Sequence, residues 1–204
     1  AVHIADAEGL DELSMRRLAD ELGVGVMSLY RHVTGRDELL HLMMRRAFRS
    51  RPLPDPAPAG WRERLDAVCR AQWALYRDHP WTIELVSVTR PMLLPEGMAQ
   101  TESTLAALHD LGLDPTERAR EAVTLPALVR GMALAHRAES VARRTTGLDA
   151  DQWWHTQAAE VQAELAGGRY PHLTALTADV VSDVDLLFER WLRQHTDGLA
   201  ARVS

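Results

Sequence analysis

Apolar residues recur every three to four positions along most of the chain, and prolines and glycines interrupt this pattern. The spacing predicts helices over residues 37–49, 61–78, 81–88, 96–111, 115–144, 150–166 and 177–194. An earlier helix is expected to end at Gly9, and residues 170–172 are read as a loop or short turn. No stretch alternates as a strand does, and no segment repeats, so the pattern predicts an all-α fold.

The most specific pattern lies within residues 14–32. Ser14 is a natural N-cap for a first short helix. Three residues form the apolar face of that helix: Leu18, Ala19 and Leu22. Gly23 follows where a helix end favours a residue that accepts positive φ, and Val24 is expected to enter the core.

A second short helix follows, with Leu29 and Val33 turned inward. Its outward face presents polar and adaptable side chains, namely Met27, Ser28, Tyr30, Arg31 and His32. Two short helices joined in this way form a helix-turn-helix, whose second helix enters the DNA major groove. Capping-box spacing at Thr34 and Asp37 starts the next helix.

These residues resemble the tetracycline repressor (TetR) family of bacterial transcription regulators. The motifs are Arg17-Leu18-Ala19, Leu22-Gly23-Val24, Leu29-Tyr30-Arg31-His32-Val33 and Asp37-Glu38-Leu39-Leu40. A fainter similarity to the tetracycline repressor subgroup continues through Trp61 and Thr89-Arg90-Pro91 to the C-terminus. The resemblance implies an N-terminal helix-turn-helix module of three helices and a larger helical bundle that binds an effector and dimerises.

The domain boundaries follow from the same reading. We expect a DNA-binding domain over residues 1–49, a proline-rich connector over 50–60 and an effector-binding and dimerisation domain over 61–204. The helix that ends at Gly9 is shorter than in the family, so either the chain is short at this end or residues are missing before Ala1.

The resemblance also implies which residues contact operator DNA. The matching positions are Met15, Arg16, Val26, Met27, Ser28, Tyr30, Arg31, His32 and Arg36. Arg16 is placed to reach a guanine edge or a phosphate, and Arg31 and Arg36 to bind the backbone. The alternative for each residue is an ordinary solvated surface position.

The second domain holds aromatic, methionine and polar residues suited to a pocket between helices. Candidate ligand-binding residues are Val68, Gln72, Trp73, Tyr76, Val86, Thr89, Arg90, Met92, Thr104 and Met132. Core packing is the alternative for each of them. Gln72 is the most suggestive because a helix that packs into a core rarely carries a glutamine in its apolar stripe.

In the tetracycline repressor, a histidine three residues before the matching threonine binds magnesium that arrives with the drug. Here that position is Val86. We therefore expect a more apolar ligand, no cofactor and no obligatory metal.

The family implies a homodimer, because one helix-turn-helix reads only a few base pairs. Helices 115–144 and 177–194 are candidates for a four-helix interface, with Val184, Leu187 and Trp191 as interface residues. Packing within one subunit is the alternative.

Charge is divided unevenly along the chain, whose net charge is −6. Residues 14–51 hold eight arginines against four acidic residues, whereas residues 52–204 hold fifteen against twenty-one. Positive charge thus concentrates where DNA phosphates would lie. A single cysteine, no signal peptide and no membrane-spanning apolar run favour a cytoplasmic protein with no membrane partner.

The prediction is a non-enzymatic repressor that a small, largely apolar ligand releases from its operator. A ligand-dependent activator or co-repressed regulator stays open, because sequence does not give the sign of the response. A helical partner-binding protein or enzyme with a vestigial DNA module is the remote alternative; no glycine-rich phosphate loop or GxSxG motif supports an enzyme.

Overall fold

A computed structural model describes residues 1–87, 90–174 and 183–203 of the chain. Within these ranges the regular structure is entirely helical, which confirms the all-α prediction. The helices are α1 (Val2–Glu8), α2 (Met15–Leu22), α3 (Val26–Tyr30), α4 (Arg36–Ser50), α5 (Trp61–Asp78), α6 (Thr82–Leu85), α7 (Pro95–Leu111), α8 (Pro115–Thr146), α9 (Ala150–Leu165), α10 (Pro171–Thr174) and α11 (Val184–Ala201).

Local signals set several helix ends. The Ser14 hydroxyl accepts a 3.0 Å hydrogen bond from the backbone N–H of Arg17 at the beginning of α2. Gly23 ends that helix at φ 65°, in the left-handed region. Asp114 caps α8 through the N–H groups of Thr116 and Glu117. These caps occur where the sequence predicted them.

The capping box predicted at Thr34 does not form. Gly35 is the N-cap of α4, and it is the carboxylate of Glu38 that accepts bonds from both the N–H and the hydroxyl of Thr34, at 2.6 and 2.7 Å. The side chain of Thr34 therefore donates to the first turn of α4 and does not accept from it.

Three other element boundaries differ from the predictions. α6 ends at Leu85, and the expected end of that helix at residue 88 lies outside the described residues. Residues 177–182 also lie outside them, whereas α11 continues to Ala201, past the predicted end at 194. The turn expected at 170–172 is the beginning of the four-residue helix α10.

Two hydrophobic clusters organise the molecule. The first joins α1–α4 and also includes Leu75, Trp81 and Leu94 from the larger domain. The second lies among α5, α7, α8 and α11. Two residues expected in the first core are exposed instead: Leu22 is 57% and Val24 is 44% exposed. Leu18, Ala19 and Leu29 are the residues of α2 and α3 that are buried in this cluster.

The α4 helix connects the N-terminal module, formed by α1–α3, to the rest. Met44 and Ala47 of α4 are buried in the first cluster, which reaches residues of α5 and of the α6–α7 segment. A second link is polar: Asp6 of α1 accepts hydrogen bonds from Trp81 Nε1 at 2.7 Å and from His79 Nδ1 at 2.8 Å. Apolar packing and these two hydrogen bonds thus place the larger domain in direct contact with the N-terminal module.

Candidate nucleic-acid interface and ligand cavity

The outer surface of α3 carries most of the predicted DNA contacts. Met27 is 77% exposed and Tyr30 is 45% exposed. Arg31 and His32 are exposed directly after the helix. Arg31 Nη2 donates a 2.8 Å hydrogen bond to the hydroxyl of Ser28, one turn earlier. This bond restrains a guanidinium at the helix end, where it can contact a phosphate.

Arg16 lies at the beginning of α2 and is exposed, and its guanidinium makes no hydrogen bond or ion pair with a described side chain. Its neighbour differs: Arg17 donates to Glu8 at 2.6 Å and to Glu21 at 2.7 Å. The charge of Arg17 is thus balanced by two carboxylates of the protein, whereas the charge of Arg16 remains available to an anionic partner.

Three predicted DNA-binding residues have structural contacts as well. Met15 and Val26 are half-buried against the first core cluster, so only part of each side chain faces outward. The guanidinium of Arg36 donates to the backbone carbonyl of Leu13 and, at 3.1 Å, to that of Leu10. This arginine holds the α1–α2 turn, which leaves less of its hydrogen-bonding capacity for DNA.

A cavity of about 450 Å³ lies among α4, α5, α7, α8 and the segment that joins α6 to α7. α4 contributes Met44 and Phe48, and α8 contributes Ala122, Val123 and Pro126. Exposed lining residues mark the mouth: Leu93 is 79% and Met98 is 58% exposed. The walls are mainly apolar, as in most small-molecule sites.

Five of the predicted ligand-binding residues line this cavity: Gln72, Tyr76, Val86, Met92 and Thr104. The remaining described ones do not: Val68, Trp73, Arg90 and Met132. Thr89 lies outside the described residues.

Packing explains why three of these four lie elsewhere. Trp73 stacks on Phe188 with ring centroids 4.7 Å apart and donates from Nε1 to Asp185 at 3.0 Å. Val68 is 3% exposed, and Met132 is half-buried against the second core cluster. Arg90 is exposed to solvent. The first three therefore serve the packing of the larger domain.

The polar groups of the cavity are few. Gln72 Nε2 donates a 3.2 Å hydrogen bond to Gln100 Oε1, and the hydroxyl of Thr104 donates to the carbonyl of Gln100. The amide oxygen of the same side chain, Gln72 Oε1, is buried and has no hydrogen-bond partner among the described residues. Burial raises the pKa of Tyr76 to about 12, so its phenol stays protonated at neutral pH.

Sequence reasoning missed Met44, Phe48, Gln100 and Pro126 as lining residues. Gln100 repeats the signal that singled out Gln72, a glutamine in a helix interior. Pro126 is a further signal, because proline inside a long helix marks a special position.

The predicted dimer residues lie on α11. Leu187 is 36% exposed, whereas Val184 and Trp191 are half-buried against the second cluster. Other apolar side chains of α8 and α11 are more exposed: Val123, Leu128, Leu134, Val141 and Leu186. Among the described residues, no helix combines the length and apolar character needed to cross a membrane.

Comparison with family models divides the chain in two. Residues 1–43 match the model described as bacterial regulatory proteins, tetR family, and residues 53–203 match the tetracyclin repressor-like C-terminal domain. The HTH-type transcriptional repressor DrrR1 of Streptomyces coeruleorubidus is 41% identical over 207 residues, which covers 100% of this chain and 76% of that protein.

Solved structures of TetR family proteins are also similar to this chain. The Streptomyces coelicolor TetR family protein ActR in complex with (S)-DNPA is 32% identical with a TM-score of 0.75, covering 100% of this chain and 94% of ActR. The complex of ActR with actinorhodin gives 31% identity and a TM-score of 0.68 over 100% and 94% of the two chains.

Proposed function

The chain belongs to the TetR family of DNA-binding transcription regulators, and we propose that it is a repressor that leaves its operator when a small, largely apolar molecule fills the cavity. A homodimer holds two N-terminal modules at the spacing of two operator half-sites, in the cytoplasm. The ligand favours a conformation of the dimer in which that spacing is wrong. The family assignment also separates the chain from enzymes built on helical bundles.

The DNA-binding half of the proposal rests on the surface formed by α2 and α3. Met27, Ser28 and Tyr30 are placed to contact base edges or the groove wall, and Arg16 and Arg31 to contact phosphates. Val26, Met15 and His32 complete the predicted surface. Arg36 contributes mainly by fixing the turn before α2.

One observation supports ligand control most directly: the cavity is in contact with the helix that carries the N-terminal module. Met44 and Phe48 of α4 form part of its wall. Phe48 also lies against α7, where its Cζ is 3.7 Å from the position of a Cβ built on Gly97. A ligand that displaces Phe48 therefore acts on α4 without an intermediate element.

The proposed dimer uses α8 and α11. These helices pack on each other within one chain and expose apolar side chains on their outer surfaces, including Leu187, Leu186 and Leu134. Small residues along α8, such as Gly131 and Ala135, permit close approach of a second helix pair. Val184 and Trp191 lie on the same helix, α11, and are half-buried against the second cluster.

The proposal is supported by ligand complexes of ActR and by the repressor name of DrrR1, which describe those proteins. It is tested by titrating the protein against promoter DNA beside its own gene at two salt concentrations, with Tyr30→Ala as control. We expect tight, salt-dependent binding that the variant loses. A genome-wide selection of bound fragments that returns nothing specific would overturn the proposal.

The sign of the response is tested in the same assay. Compounds that bind the free protein are added to the protein–DNA complex, and release supports a repressor of the induced type. A compound that strengthens DNA binding would replace that mechanism with co-repression.

A further inference from the structure

Among the described residues that line the cavity, the side-chain oxygen of Gln72 is buried without a hydrogen-bond partner, and Pro126 removes the usual helical donor of the Ala122 carbonyl. None of these lining residues carries a basic side chain. From this we infer that the effector is an uncharged, largely apolar molecule with a hydroxyl group that donates to the wall formed by Gln72 and Ala122. The inference rests on the proposed function, since it specifies the ligand of the same site.

The first acceptor is the side-chain oxygen of Gln72. The amide uses its nitrogen to bond Gln100, 3.2 Å away, and Oε1 is then left buried without a partner. A buried acceptor that lacks a donor is costly, and an incoming hydroxyl group recovers that cost. A ligand without a donor would leave the oxygen unsatisfied while also removing water from it.

The second acceptor is a backbone carbonyl of α8. In a regular helix the N–H of residue i donates to the carbonyl of residue i−4. Pro126 has no N–H, so the carbonyl of Ala122 lacks its usual helical donor. Ala122 and Pro126 both line the cavity. This acceptor arises from the backbone and is independent of the Gln72 amide.

The charge of the ligand follows from the lining. None of the described lining residues is arginine or histidine, and the carboxylate that lines the mouth, Glu102, is exposed. Arg130, whose positive charge opposes the rise in the pKa of Tyr76, is not a lining residue, and its guanidinium donates to the carbonyl of Ile83 at 3.0 Å. An anionic ligand would therefore lose its hydration without gaining a positively charged partner. A cationic ligand would gain only Glu102, whose carboxylate is exposed to solvent and attracts it weakly.

The test uses four matched probes on the free protein, without DNA, by calorimetry. The probes are 2-(hydroxymethyl)anthraquinone, 2-methylanthraquinone, anthraquinone-2-carboxylate and 2-(aminomethyl)anthraquinone. They share one apolar ring system and differ in donor and charge. We expect the hydroxymethyl compound to bind about tenfold more tightly than the methyl compound, as one satisfied hydrogen bond allows. Both charged compounds should bind more weakly than either.

Two variants identify which acceptor of the cavity wall binds the hydroxyl group of the probe. Gln72→Leu removes the side-chain acceptor and should lower the hydroxymethyl-to-methyl ratio. Pro126→Ala restores the N–H that satisfies the Ala122 carbonyl, and the double variant should bring the ratio close to one. Gln162→Leu, on the exposed surface of α9, is the matched control and should leave the ratio unchanged.

The inference fails if a charged probe binds most tightly, if no probe binds, or if the double variant keeps the wild-type ratio. Because the ratios are measured without DNA, they stand apart from the repressor proposal. Loss of operator binding alone would remove the repressor function and leave the ligand preference measurable.

Discussion

Glu96, at the beginning of α7, accepts a 2.7 Å hydrogen bond from Nε of Arg49, in the last turn of α4. The same carboxylate oxygen lies 3.4 Å from Nε of Arg45, one turn earlier. Residues on both sides of Glu96 line the cavity, including Leu94 and Gly97. The carboxylate therefore joins the cavity wall to the helix that carries the N-terminal module.

This relationship predicts that Glu96→Gln loosens the end of α4. Partly exposed ion pairs contribute about 0.2–1 kcal/mol each, and Glu96 makes two of them, so amide exchange in α4 should accelerate about two- to thirtyfold. Hydrogen-exchange mass spectrometry of residues 45–50 measures it. Glu102→Gln is the control, because that carboxylate lies on the same helix and makes no ion pair with a described residue. Equal exchange in the two variants would contradict the link.

Replacement of Arg16 by alanine should weaken operator binding without affecting the fold. The side chain is exposed and its guanidinium makes no hydrogen bond or ion pair with a described residue, so its charge is available to DNA. Loss of a bidentate guanine contact costs about 1–3 kcal/mol, whereas loss of a phosphate contact lowers the salt slope by about one. Fluorescence anisotropy at several salt concentrations distinguishes the two. Arg143→Ala, on the exposed end of α8, should bind as wild type does.

Alanine variants of Arg36 and Arg31 should differ in their effects: the first should lower stability, and the second should lower operator affinity. Arg36→Ala removes donors to the carbonyls of Leu10 and Leu13 and should destabilise the protein by about 1–3 kcal/mol. Arg31→Ala removes only a surface bond to Ser28, so stability should change little while operator affinity falls. Urea unfolding and anisotropy are the measurements. A stable Arg36→Ala protein with no DNA binding would assign Arg36 a direct DNA contact instead.

Two aspartates should respond to pH with opposite signs. Burial raises the pKa of Asp66 above its ordinary 3.8, so the folded state carries a penalty above that raised pKa, and the penalty disappears as pH falls below 3.8. Asp66→Asn should thus raise the melting temperature at pH 7, with a gain that vanishes in acid. Differential scanning calorimetry across pH measures this.

Asp110 is the matched comparison. The side-chain hydrogen bond from Arg64 lowers the pKa of its carboxyl below 3.8, so this group stabilises the fold above 3.8 and loses its effect as pH falls through the lowered pKa. Asp110→Asn should therefore lower the melting temperature at pH 7. Shifts of the same sign in the two variants would refute this account.

Sequence predicted the helices well because their ends depend on local chemistry. Ser14, Gly23 and Asp114 act within a few residues of their own positions, so their effect is visible without knowledge of the fold. The same holds for the helix-turn-helix pattern. Leu22 and Val24 show the limit, since their exposure depends on how much interior the neighbouring helices leave.

The cavity was less predictable because helix rotation is set by distant partners. Trp73 and Gln72 are adjacent in sequence, yet one packs on α11 and the other lines the cavity. The orientation of Trp73 depends on Asp185 and Phe188, more than a hundred residues away. No local pattern identifies such partners, and the same reason kept Phe48 from being recognised.

The composition of the cavity wall has an evolutionary consequence. Apart from Met44 and Phe48, its described lining residues belong to α5, α6, α7, α8 and the segment between α6 and α7, and none comes from α2 or α3. Under the proposed function, mutations in this wall that alter the recognised compound can therefore accumulate while the operator sequence stays fixed. A lineage of such proteins can acquire responses to new compounds without rewiring the genes it controls, provided that the contact made by Phe48 is retained.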